Sequence, residues 1–127
     1  MGWSDVSLFG TMALAMVAPR IRDRADALED LVQRIVHAVA PRRIVLFGSA
    51  ARGDTGPHSD LDVLVILPDG ADPVASELAI YRKLWGLRFG ADIIAVTETD
   101  AERLKSNPFV VIHTALAEGK ELYRAAG

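Results

Sequence analysis

A chain of 127 residues, 50% hydrophobic and 24% charged, has the make-up of one globular domain. Its formal net charge of -3 offers polyanions no basic platform, so direct nucleic-acid binding is not expected. The absence of cysteine excludes disulfides, thiolate zinc sites and a cysteine nucleophile, and leaves oxygen or imidazole to hold any metal.

Residues 1–20 read as an irregular lead-in or short helix, ahead of a single domain over 21–127. The apolar stretch from Leu8 to Ala18 follows Asp5 with no Lys or Arg before it, and Gly10, Thr11 and Pro19 break it up. It lacks the basic start of a secretory leader and is too short to span a bilayer, so the expected setting is the cytoplasm, away from membrane.

From Ile21 to Val39, apolar residues recur every three or four positions (Ile21, Ala25, Leu28, Val32, Ile35, Val39) among charged ones, which predicts an amphipathic helix ending near Pro41. Arg43 to Phe47 is a short, apolar, β-branched run that stops at Gly48, as a buried strand emptying into a turn does. Ser49 to Ser59 carries Gly53, Asp54, Gly56 and Pro57 and reads as a loop, or as a turn of helix followed by one. Leu61 to Leu67 returns to strand character before a dense set of breakers, Pro68, Asp69, Gly70, Asp72 and Pro73.

A second helix is expected from about Val74 to Leu87, with Tyr81, Leu84, Trp85 and Leu87 as its inward stripe. Ala91 to Val96 is a third strand. Thr99 with Glu102 resembles a capping box opening a short helix, and Phe109 to Glu118 forms a last helix closed by Gly119. This order predicts an α+β fold, a small mixed β-sheet packed against helices.

Chemistry concentrates around the second strand. Strand side chains alternate, so Asp60 and Asp62 share one face while Leu61, Val63, Val65 and Leu67 take the other. Two carboxylates side by side repel each other and raise each other's pKa, an arrangement that persists chiefly where a cation neutralises it. Mg²⁺ suits the pair because it takes one or two carboxylates together with substrate phosphates. Upstream, Gly48 permits close backbone approach, and the Ser49 hydroxyl with nearby N–H groups can hold phosphate oxygens. Asp92, second in the third strand, is the candidate third carboxylate, as a metal ligand or as the base for an attacking hydroxyl. His58 reads as a solvated loop residue, and His37 and His113 as packing or surface residues within helices.

The string Gly48-Ser49, ten residues, then Asp60-Leu61-Asp62 resembles the signature of the nucleotidyltransferase superfamily with a polymerase-beta-like palm fold. The longer run Gly48-Ser49-Ala50-Ala51-Arg52-Gly53-Asp54, leading to Ser59-Asp60-Leu61-Asp62-Val63-Leu64-Val65, is similar to the minimal nucleotidyltransferase branch. That branch contains the MntA-type antitoxins found beside HEPN toxins. The likeness extends from Arg43 to Glu118-Gly119-Lys120-Glu121-Leu122-Tyr123.

The resemblance implies transfer of AMP from ATP to a tyrosine hydroxyl of a HEPN-type toxin, with two Mg²⁺ ions. Asp60, Asp62 and Asp92 would be metal ligands and catalytic carboxylates. Gly48 and Ser49 would clamp the triphosphate, with Arg52 adding positive charge. The implied assembly is a hetero-oligomer with the toxin. Two alternatives stand beside it: an inactive antitoxin acting by contact alone, and nucleotidyl transfer to a small molecule.

Overall fold

The structure, a computed structural model, describes residues 24–52, 60–87 and 90–126. Helix α1 (Arg24–Val39) leads into β1 (Arg43–Phe47), the one-turn helix α2 (Gly48–Arg52) and β2 (Leu61–Leu67). Helix α3 (Pro73–Lys83), β3 (Ala91–Thr97), α4 (Glu98–Leu104), α5 (Val111–Glu118) and β4 (Lys120–Arg124) complete the described chain.

The strands form one open mixed sheet in the order β3-β2-β1-β4. β1 runs antiparallel to β2 and β4, whereas β2 and β3, joined through α3, run parallel. A parallel pair needs a crossover, and α3 supplies it. The α+β expectation therefore holds.

Helices cover both faces of the sheet. On one face Ile44, Leu46, Leu61, Val63, Val65 and Leu67 pack beneath Leu31 and Ile35 of α1, Ile80 of α3 and Leu84 just past its end. On the other, Val45, Phe47, Leu64, Ile66 and Val96 meet Ala101 of α4 and Ile112 and Ala115 of α5. This double cover explains why β1 and β2 are almost uniformly apolar, as strands buried on both sides are.

α1 presents Ala27, Leu31 and Ile35 inward, with Leu28, Val32 and Val39 at the margins, while Ala25 is exposed. The buried stripe is thus rotated slightly from the expected one; Ile21 lies outside the described residues. Arg34 of α1 ties the helix to α3: it donates to the carbonyls of Lys83 (3.0 Å) and Trp85 (2.8 Å) and to Asp30 (2.9 Å). Carbonyls at a helix end lack intrahelical donors, and a guanidinium supplies them.

Four sequence expectations change. α3 stops at Lys83, so its supposed inward stripe splits: Leu84 is buried, but Tyr81 is 44% and Trp85 90% exposed. Chain beyond the cap no longer follows the helical period, and Tyr81 lies over the sheet edge, where its hydroxyl accepts from Ile93 N (2.8 Å). The cap of α4 is Thr97, whose side chain accepts from Asp100 N; Thr99 instead donates its N–H (3.0 Å) and hydroxyl (2.6 Å) to Asp69. α5 begins at Val111 rather than Phe109, whose side chain is 94% exposed. Finally, Lys120–Arg124 is a strand, β4, in a segment for which the sequence reading named no element.

No helix among the described residues is long and apolar enough to cross a membrane.

Candidate active site

Three adjacent strands bring the acidic residues to one end of the sheet. β1 ends at Phe47, whose register partner on β2 is Asp62. On the other side of β2, Asp62 is paired directly with Asp92 of β3. Asp60 lies just before β2, and Leu61 N donates to Gly90 O (2.9 Å), which holds the entrances of β2 and β3 together.

Asp62 is half-buried, while Asp60 and Asp92 are exposed. Burial pushes the Asp62 carboxyl above the usual carboxylate range, and the negative charges of Asp92 and then Asp60 push it the same way. The charges of Asp92 and Asp60 thus reach the Asp62 carboxyl. Among the described residues, however, no group of three or more acidic, imidazole or thiol side chains is placed to hold a metal ion.

Two glycines lie against these carboxylates. Gly48 has a positive φ of 74°, and a Cβ there would press on the Asp62 carboxylate, with its Cγ at 3.2 Å. Gly90 stands in the same relation to Asp60: a Cβ would meet its carboxylate oxygen, with Cγ at 3.1 Å. Sequence reasoning singled out Gly48 and missed Gly90. A glycine directly before a predicted strand was the available signal, because such positions often mark close backbone approach.

Gly48 and Ser49 open α2 at the end of β1, placing Ser49, half-buried, at the acidic end of the sheet. Arg52 is exposed in the last turn of α2. His58 lies outside the described residues. A cavity of about 420 Å³ opens at the opposite end of the sheet, lined by Arg43, Ile66, Glu98 and Arg124 among others. Its guanidiniums are engaged with Glu121, Arg43 at 2.8 Å and Arg124 at 2.7 Å, and it contains none of the carboxylates described above.

The described chain is thus an open mixed sheet with acidic residues at one end and a glycine-serine turn beside them. The nucleotidyltransferase domain family matches residues 25–117, and the chain belongs to that family. Among its relatives is a bifunctional uridylyltransferase/uridylyl-removing enzyme of Burkholderia vietnamiensis, 34% identical over 85 residues. That match covers 63% of this chain but 9% of the relative, so the chain spans a small part of that enzyme's length. A Methanocaldococcus jannaschii protein described as "Putative protein adenylyltransferase MJ0604" is 34% identical over 82 residues, covering 65% of this chain and 78% of the relative.

The fold is shared with a toxin-antitoxin crystal structure containing AMP-PNP (TM-score 0.58, 21% identity, covering 77% of this chain and 73% of that one). An MntA-HepT toxin-antitoxin structure superposes comparably (TM-score 0.54, 18% identity, 80% and 74% covered).

Proposed function

We propose that this nucleotidyltransferase moves AMP from ATP to a tyrosine hydroxyl of a HEPN-type toxin, in the cytoplasm and within a complex of the two proteins. The observation that carries the reading is the direct pairing of Asp62 with Asp92, next to Asp60 and the Gly48-Ser49 turn. Repulsion from Asp92 and Asp60 adds to burial in raising the Asp62 carboxyl, and Mg²⁺ with a nucleoside triphosphate would offset that charge. The relative named as a protein adenylyltransferase supports a protein acceptor, and the toxin-antitoxin fold neighbours support a toxin as that protein.

In this reading Asp60, Asp62 and Asp92 would hold two Mg²⁺ ions, which would supply positive charge to the phosphates. Gly48 admits the triphosphate close to the backbone, Ser49 donates its hydroxyl to a phosphate oxygen, and Arg52 adds positive charge. Asp92 accepts the phenol proton as the tyrosine oxygen bonds to the α-phosphorus. The bond from that phosphorus to the oxygen bridging the α and β phosphates then breaks, and pyrophosphate leaves. The chain's contribution is mainly to hold acceptor and phosphate in line.

Incubation with ATP labelled at the α-phosphate, Mg²⁺ and the protein of the neighbouring gene should label that protein on tyrosine and release pyrophosphate. Asp62→Ala should abolish the label. An unlabelled partner with wild type and variant alike would overturn the proposal. If the Asp60→Ala, Asp62→Ala double variant still binds and still neutralises the toxin, the chain acts by contact alone.

A further inference from the structure

β3 closes one side of the sheet, so alternate backbone N–H groups along it point away from β2. Water satisfies such donors at an open sheet edge. Here two of them are met by side chains of α3 instead: Ile93 N donates to the Tyr81 hydroxyl (2.8 Å) and Ala95 N to Glu77 Oε2 (3.0 Å). Exchanging water for an acceptor on a helix adds little to the bonding itself, but it restrains the strand, because α3 is anchored in the core through Ile80.

The two bonds are alike in kind and differ in place. The Ile93 N–H belongs to the peptide unit that joins Ile93 to Asp92, so the Tyr81 hydroxyl holds one of the two peptide planes flanking the Asp92 Cα. The Ala95 N–H lies two residues farther along. On the other flank of Asp92, Leu61 N donates to Gly90 O (2.9 Å). Among the described residues none donates to the exposed Asp92 carboxylate, so its place is set by the backbone that carries it. Ile93 and Ala95 face α1 and α3, whereas Ile94 and Val96 face α4 and α5. By alternation Asp92 lies on the side of the sheet away from α3, and Tyr81 reaches it only through the strand.

We propose that Tyr81 is a positioning residue for nucleotidyl transfer: its hydroxyl fixes the peptide plane beside Asp92 and so aims that carboxylate at the acceptor hydroxyl. This task rests on the reading of Asp92 as the base that takes the acceptor's proton. Without the Tyr81 hydroxyl, Ile93 N turns to water and the Asp92 backbone gains freedom, and a misplacement of about 1 Å can cost roughly a hundredfold in rate. The Gly48-Ser49 turn stands at the end of β1, across β2 from Asp92, so the hold on the triphosphate is left alone.

Amide exchange followed by NMR on the full chain should show Ile93 exchanging roughly fivefold faster or more in Tyr81→Phe, with Ala95 unchanged, and the converse in Glu77→Ala. Phe keeps the ring, which is 44% exposed, so the fold is retained. With ATP labelled at the α-phosphate and the partner protein, Tyr81→Phe should lower turnover roughly tenfold with little change in the KM for ATP. Glu77→Ala, which loosens the same edge farther from Asp92, should keep turnover near that of wild type. On the residual turnover of Asp92→Asn, adding Tyr81→Phe should have no further effect. Equal losses from Tyr81→Phe and Glu77→Ala, a loss that persists in the Asp92→Asn background, or full turnover of Tyr81→Phe beside a crippled Asp92→Asn would each overturn the proposal. Ile93 exchange that Tyr81→Phe leaves unchanged would overturn it whatever reaction the chain performs. A wild type that fails to label, or an Asp92→Asn variant as active as wild type, would refute the assignment of Asp92 and take the role of Tyr81 with it.

Discussion

Replacing Asp62 by Asn should stabilise the protein while removing its activity. In the folded chain Asp62 is half-buried and faces Asp92 across the β2-β3 pair, so its ionised form suffers both desolvation and repulsion. Neighbouring strands lie roughly 5 Å apart, and two unit charges at about 6 Å repel by about 1–3 kcal/mol at effective dielectric constants of about 20–40. Because Asp92 is exposed and water screens the pair, about 1 kcal/mol is a fair expectation for the gain at pH 7. For a domain of this size that corresponds to about 4 °C in Tm.

The pH dependence follows from the raised carboxyl. A group whose folded pKa lies above its unfolded value binds its proton more tightly when folded, so stability falls as pH climbs from the unfolded value, 3.8, through the raised one. Asn cannot ionise, so the advantage of the variant should be present at neutral pH and shrink below the ordinary carboxylate range. Denaturant unfolding across this range measures it. Mg²⁺ should raise the Tm of wild type and leave Asp62→Asn nearly unchanged. A variant less stable than wild type at pH 7, or an advantage that persists unchanged into acid, would refute the electrostatic account.

Gly90→Ala should place a methyl group against the Asp60 carboxylate and move it, lowering transfer to the partner protein at least roughly tenfold while far-UV circular dichroism stays unchanged. Unaltered rates would show that Asp60 tolerates displacement. Thr97→Ala removes the side-chain cap of α4 and should cost about 1 kcal/mol of unfolding free energy. Thr99→Val should leave the cap intact and remove the hydroxyl, the larger of the two Thr99 hydrogen bonds that hold the Asp69 carboxyl below its ordinary range, so that less stability is lost as pH falls below the ordinary value of 3.8. Equal effects of the two substitutions at all pH values would contradict the hydrogen bonding described above.

The candidate residues were legible because most of them sit within one short stretch. A glycine-serine pair ends the strand before Asp60 and Asp62, and the apolar runs of β1 and β2 marked buried strands. These are relations between residues near in sequence, which local geometry alone dictates. The pairing of Asp62 with Asp92, the seat of Asp60 on Gly90, and the addition of β4 beside β1 join residues tens of positions apart. Strand order and register determine them, and these depend on how α1, α3 and α5 pack on the two faces. Trp85 shows the same division: helical spacing assigned it to the core, but α3 ends two residues earlier and Arg34 reaches across from α1 to claim its carbonyl, leaving the indole on the surface.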